Sequence, residues 1–319
     1  MGLIPIIRKE VADHLSSKRF LLVFALILVT GLSTSYMGSQ SLAAQPLREM
    51  DQTTAFLRLF TGAPSPIPPF IYFMSIFGPI LGVALTFDAI NREIASGSML
   101  RLLSNPLHRD SIINGKIIAG LIVVLVMISS VVGIVTGFNM VLVGFGPNVE
   151  GVMRIMYFIL LSTVYVGLWM SISLLFSIIF RRTTTSALAC LALWAFFNFF
   201  IYMIASIVAE LLVPLGAYKY TPPPLYVILA HEEVRLAILR ISPGTLYLEA
   251  VSVLLNPEVK SMELVYVTPR DIPVPKLLPL DESLMLAWPH VSALISGLVI
   301  CLILSYIAFM RIEIRPSWA

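Results

Sequence analysis

The chain has 319 residues, of which 58% are apolar and only 12% charged, with a net charge of +3. Soluble proteins carry about 25% charged residues, so a water-soluble domain that hides this much apolar surface is excluded. The small positive excess gives no footing for nucleic acid as a partner; Lys and Arg retained in loops on the cytoplasmic face account for it. Several apolar runs reach the roughly 18–20 residues that cross a hydrocarbon core about 30 Å thick, so the expected class is an all-α polytopic membrane protein.

In chain order, residues 3–17 place Leu3, Ile4, Ile7, Val11 and Leu15 on one helical face, with Arg8, Lys9, Glu10 and Asp13 on or near the other. That pattern suits an amphipathic helix lying in the membrane interface. The first apolar run begins only at Phe20, behind Glu10 and Asp13, which does not fit a cleaved signal peptide. Lys18 and Arg19 anchor the start of the first span.

Six spans are expected, at about 20–36, 69–87, 117–142, 155–179, 186–209 and 290–310. Between the first two lies a polar loop, 38–68, whose Thr53–Leu59 stretch can form a short helix ended by a proline run. Gly78 and Gly82, like Gly133 and Gly137, have the spacing that lets helix backbones approach closely. The longest polar stretch, 210–288, reads as an outward subdomain with two helices, His231–Ile241 and Thr245–Leu255, punctuated by Pro243 and Gly244. A short strand is expected at Leu264–Thr268. Cys190 and Cys301 fall inside apolar runs and read as small apolar side chains.

Six spans put both termini on one side. Most basic residues near span ends gather there, from Arg8 and Lys9 through Arg92, Arg101, Arg109 and Lys116 to Arg311 and Arg315. The opposite short loops hold only Arg48, Arg58 and Arg154. Both termini and the 87–116 loop are therefore expected in the cytoplasm, and 38–68 and 210–288 outside.

Charge inside the spans is the usual marker of ion coupling. An ionisable group at the bilayer centre costs at least about 2.5–3.5 kcal/mol, and the middle of the six spans holds none. Asn139 and Asn198 are the polar exceptions, read either as interhelical hydrogen-bonding residues or as part of a substrate path. His231-Glu232-Glu233 lacks the second His of a zinc helix, and Gly115-Lys116 lacks the rest of a phosphate-binding loop. No metal site is expected, and any ATP that energises the protein binds another chain.

Attention therefore falls on the polar island 87–116. Ala89–Leu103 reads as a mixed-charge helix with a small-residue notch at Gly97-Ser98. Asn105-Pro106 breaks it, and Asp110 or Ser111 caps a helix running through Lys116 into the third span. Composition alone leaves two readings open: a solvated loop whose arginines fix topology, or a surface helix–break–helix displaying Arg92, Glu93, Arg101 and Arg109.

Glu93, Gly97-Ser98, Leu102-Leu103-Ser104, Pro106, Arg109, Ile112 and Gly115-Lys116 together resemble the cytoplasmic signature of type-2 exporter permeases of the ATP-binding cassette (ABC) class, with Ser98 where Thr is commoner. The N-terminal Ile6–Phe20 segment and the ending Tyr306, Phe309, Arg311, Glu313-Ile314-Arg315 resemble the same family. The resemblance implies a six-span permease with no catalysis of its own, resident in the cell membrane among its lipids. It would pair with a second copy or a paralogue, and each permease would bind one ABC ATPase subunit. ATP and Mg would be held by that ATPase. Lys9 and Glu10 would lie on the N-terminal interfacial helix. Arg92, Glu93, Gly97, Arg101, Ser104, Pro106 and Arg109 would form the coupling helix between spans 2 and 3, with Glu93, Arg101 and Arg109 touching the ATPase, Gly97 allowing close packing and Lys116 marking re-entry into the membrane. The competing readings are a stand-alone secondary carrier or channel and an intramembrane lipid-modifying enzyme. The second would draw its acids from Glu232, Glu233, Asp271, Asp281 and Glu282.

Overall fold

The computed structural model describes residues 3–43, 52–62, 68–99, 109–218, 223–256 and 278–312. Among these, every regular element is helical. Leu3–Leu15 forms α1, Lys18–Ala43 α2, Gln52–Thr61 α3, Phe70–Thr86 α4 and Asn91–Ala95 α5. Arg109–Val143 forms α6 and Val149–Ile179 α7. Thr183–Ala195 (α8) continues through a π-helical turn, Phe196–Phe200, into Ile201–Leu212 (α9). Leu225–Leu239 is α10, Pro243–Leu255 α11 and Leu280–Arg311 α12.

Six stretches are long and apolar enough to span a membrane: Lys18–Leu42, Phe70–Ala95, Asp110–Val143, Val149–Ile179, Thr183–Leu212 and Leu280–Arg311. They are numbered spans 1 to 6, and the protein is a multi-pass membrane protein. Several start earlier than their apolar cores. Span 6 begins at Leu280, ten residues before the expected His290, because Pro289 is accommodated inside the helix.

Span 4 is the axis of the bundle; its most extensive contacts are with span 6 and with α4 of span 2. A side chain at Gly82 would put a Cβ 2.7 Å from the Val166 carbonyl oxygen and 2.8 Å from the Met170 nitrogen, so glycine is what lets spans 2 and 4 touch backbone to backbone. Thr86 Oγ1 then donates to the Met170 carbonyl at 2.8 Å, and Ser173 Oγ to that of Val83 at 3.3 Å. The Gly133–Gly137 pair serves no such approach. No described atom comes within 4 Å of a Cβ there, and both glycines line an apolar groove of about 290 Å3 between spans 3 and 4.

The two polar regions away from α1 are less separate than the sequence implies. In α3, Phe56, Leu57, Leu59 and Phe60 are fully buried, and Phe60 meets Phe70 and Phe158 edge-on at ring-centroid distances of 6.1 and 6.3 Å. Within the 210–288 stretch, residues 225–255 do not stand apart from the spans. Helices α10 and α11 meet at 118° and fold back into the bundle. Ser242, at their junction, donates to the Phe197 carbonyl near the midpoint of span 5 (3.1 Å). Beyond it, Tyr247 stacks on Tyr165, near the midpoint of span 4, at 4.3 Å. The expected strand at Leu264–Thr268 lies outside the described residues.

Arg154, counted above as a loop charge, is inside span 4 and 1% exposed. Its guanidinium donates to Glu150 Oε1 and to the carbonyls of Leu254 and Leu278, each at 2.7 Å, and to Ser283 Oγ at 3.2 Å. One side chain thus ties the end of α11 and the start of span 6 to span 4.

Candidate functional site

The site is assembled where α1, the end of span 2 and the start of span 3 converge. Gly115 opens it: a Cβ there would lie 2.6 Å from Ile6 Cγ2, so only glycine lets α1 lie flat on span 3. The next residue, Lys116, then faces both α1 and the 87–116 segment. Its ammonium, on a side chain 5% exposed, donates to Glu10 Oε1 at 3.1 Å and to Glu93 Oε1 at 2.8 Å. Glu10 is the buried residue of α1. The helix therefore turns a carboxylate toward the protein and leaves Ile4 78% exposed, on the face the membrane interface can cover. Lys9 flanks the cluster, 3.2 Å from Glu10, 3.7 Å from Asp13 and 3.9 Å from Glu93.

The segment leading to Glu93 is held from span 4. Ser177 Oγ accepts from the backbone of Ile90 at 2.9 Å and of Asn91 at 3.3 Å. The buried Asn91 amide donates to the Phe87 and Phe180 carbonyls. Gly97 ends the helix with φ of +70°, the left-handed conformation that disfavours side chains. No described atom lies within 4 Å of a Cβ there, so among the described residues Gly97 serves the turn. Met99 returns into a cluster with Ile90, Ile112, Ile113, Leu174, Ile178 and Phe309. At the rim, Asp88 accepts from Arg19 at 2.9 Å and pairs with Arg92 at 3.6 Å, while Arg19 covers the Phe87 ring.

Burial alone would raise the Glu10 carboxyl, but Lys116 and Lys9 outweigh it and hold it below the ordinary carboxylate value. Burial would likewise lower the Lys9 ammonium, yet Glu10, Glu93 and Asp13 hold it above its ordinary value. His14, on the same helix, is pushed down, chiefly by burial. Because the folded Glu10 is the more acidic form, its pairing contributes fully above the ordinary pKa of 4.5 and is lost as pH falls through the lowered value. Hydrogen-exchange protection factors across residues 3–15, each rate taken relative to an unprotected amide at the same pH, should therefore show a falling step on acidification below about pH 4.5. A Glu10→Gln variant should lose that step; a step of unchanged size in the variant would assign it to another group.

The residues singled out from sequence are distributed unevenly around this site. Lys9, Glu10 and Glu93 come together on Lys116. Arg92 is 72% exposed and Glu93 only 15%, so the expectation of an exposed Glu93 is corrected: its Oε1 is held by Lys116, and its buried Oε2 has no hydrogen-bond partner among the described residues. Arg101, Ser104 and Pro106 lie outside the described residues, as does the side chain of Arg109, where span 3 begins. Asn139 and Asn198 are elsewhere. Asn139 is fully buried in span 3 with no hydrogen-bond partner for either amide atom among the described residues. Asn198 sits in the π-helical turn and donates to the Trp194 carbonyl at 2.9 Å. Sequence reasoning missed Arg19 and Asp88 as a pair, and it gave Lys116 only a boundary role. Its adjacency to Gly115 was the available signal, because a residue beside a helix-docking glycine faces the docked helix.

A buried lysine thus pins the N-terminal helix to the charged segment between two spans of a six-span bundle. A family model described as ABC-2 family transporter protein matches residues 4–314, and the chain belongs to that family. It is also similar to a probable ABC transporter permease protein, NosY, of Stutzerimonas stutzeri, with 26% identity over 223 residues that cover 68% of this chain and 72% of the relative. The protein is a permease subunit of an ABC transporter.

Proposed function

We propose that this subunit moves its substrate with energy from ATP hydrolysed by a separate ABC ATPase chain, and that the ATPase docks on the face formed by α1 and the 87–116 segment. The observation that carries the reading is Lys116, which bonds Glu10 of α1 and Glu93 of the segment at once. The two surface elements are thereby one body seated on span 3, suited to receive a push and pass it to the bundle. On this reading Glu93 and Lys116 are positioning residues. Exposed Arg92, with Arg101, Ser104, Pro106 and Arg109, supplies the contact. That face and both termini are cytoplasmic, and a second permease copy or paralogue completes the transporter. Closure of the ATPase pair would shift the permease between two conformations. Catalysis rests with the partner, which holds the ATP and Mg. Asn139 and Asn198 are proposed to lie on the substrate path.

Co-purification with the ATPase encoded beside this chain tests the docking face. Arg92→Glu should weaken association about fivefold, the effect of losing one exposed charge contact, while the permease keeps its melting temperature. Unchanged association would remove Arg92 from the interface.

A further inference from the structure

A second charged cluster lies deep in the bundle, where α10 turns into α11. Three contacts fix its depth. Ser242 reaches the Phe197 carbonyl near the middle of span 5. A Cβ on Gly244 would lie 3.5 Å from the Tyr165 hydroxyl, near the middle of span 4, and that hydroxyl donates to the Ser75 carbonyl of span 2. Arg240 precedes this junction by two residues, and Glu249 stands about one and a half helical turns beyond Gly244. The fully buried Glu249 accepts from Arg240 Nε at 3.0 Å and Nη2 at 3.4 Å, and from His290 Nε2 of span 6 at 2.6 Å. These ionisable groups therefore sit at membrane depth, in the half away from α1.

The cluster is lopsided. Both Glu249 oxygens are engaged and its side chain is closed off, whereas the Arg240 side chain is 35% exposed. A guanidinium has five N–H donors. Those of Nη1 have no partner among the described residues, and the neighbouring Ile241 is 63% exposed. The positive end of the pair thus faces out of the protomer at a depth where charge is retained on water-lined routes and substrate paths. The π-helical turn carrying Asn198 lies at the same level, through Ser242 and Phe197.

We propose that Arg240, backed by Glu249 and His290, is a binding site on the transport route for an anionic group, a carboxylate or phosphate, received on the free edge of its guanidinium. Glu249 and His290 orient the arginine, and the anion completes its donors with charge-assisted hydrogen bonds. The site rests on the permease reading, but its test needs no ATPase and so fails or succeeds separately.

The test replaces Cys190 and Cys301, the two cysteines of the chain, with Ala and introduces Ile241→Cys. The full-length protein in nanodiscs is treated with anionic sulfonatoethyl or cationic trimethylammonioethyl methanethiosulfonate, and each rate is normalised to that with free 2-mercaptoethanol. The expected result is labelling by both, with the anionic reagent favoured about fivefold by the nearby positive charge. Arg240→Gln should abolish the preference and Arg240→Lys should keep it. If Arg240→Gln does not fold, 1 M salt should abolish the preference in the protein with Arg240 intact. A preference that survives anionic lipid in the nanodisc assigns the site to a soluble anion; one that disappears assigns it to a lipid headgroup. No labelling by either reagent, or equal normalised rates, would overturn the proposal.

Discussion

Lys116→Met is expected to cost about 3 kcal/mol of stability, because it leaves two nearly buried carboxylates, Glu10 and Glu93, facing each other without their shared cation. Oxygens engaged by one ammonium are close neighbours, so their repulsion adds to the lost attraction. Thermal unfolding in detergent reads the loss. Adding Glu10→Gln should restore part of it, since the double variant no longer buries a like-charge pair, and the two changes should be clearly non-additive. In the assembled transporter the proposed positioning role adds a second readout. ATP hydrolysis should persist while transport falls, because the ATPase would still dock on a face no longer fastened to span 3. Equal loss of both activities would reduce Lys116 to a stability residue.

Arg154→Ala should be comparably damaging, at about 3–4 kcal/mol. It strips donors from the buried Leu254 carbonyl, the part-buried Leu278 carbonyl and the buried Ser283 hydroxyl, and leaves a cavity in place of a 1% exposed side chain. Arg154→Lys should recover only part, since one ammonium on a flexible stem cannot reproduce a fork that reaches Glu150, Leu254, Leu278 and Ser283 together. The comparison is made by thermal unfolding of the three proteins. Full recovery with lysine would mean that charge alone, and not the geometry of the fork, joins α11 and span 6 to span 4.

These residues also mark where sequence reasoning works and where it stops. The six spans were legible because each contains an apolar run that only a membrane or a large core can bury. The amphipathic α1 followed from periodicity, and the loop signature pointed to the family. The helix expected over Ala89–Leu103, however, already ends at Ala95, where Gly97 turns the chain, and the break expected at Asn105-Pro106 lies outside the described residues. Arg154 was misplaced because apolar composition marks where lipid contact starts, whereas the helix itself starts at Val149 and carries its charge inward. The α10–α11 pair was taken for an outer surface because neither helix is long enough to span, and the pair contains Glu232, Glu233, Arg235, Arg240 and Glu249. Its burial depends on partners: Arg240 and His290 satisfy Glu249, and Tyr165 and Ser162 receive Tyr247. Composition cannot show that a charge will be paired. The same limit applied to Glu93, whose charge read as surface until Lys116, 23 residues later, was found against it.

The central claim is that this permease is driven by a separate ATPase bound to the α1 and 87–116 face, and native mass measurement of the complex drawn from its own membrane tests it most directly. The account predicts two permease chains, this one with a second copy or paralogue, carrying two ATPase subunits, with the ATPase mass lost on charge reversal across the docking face. A complex containing only copies of this 35.2 kDa chain, still competent for transport when reconstituted alone, would contradict it.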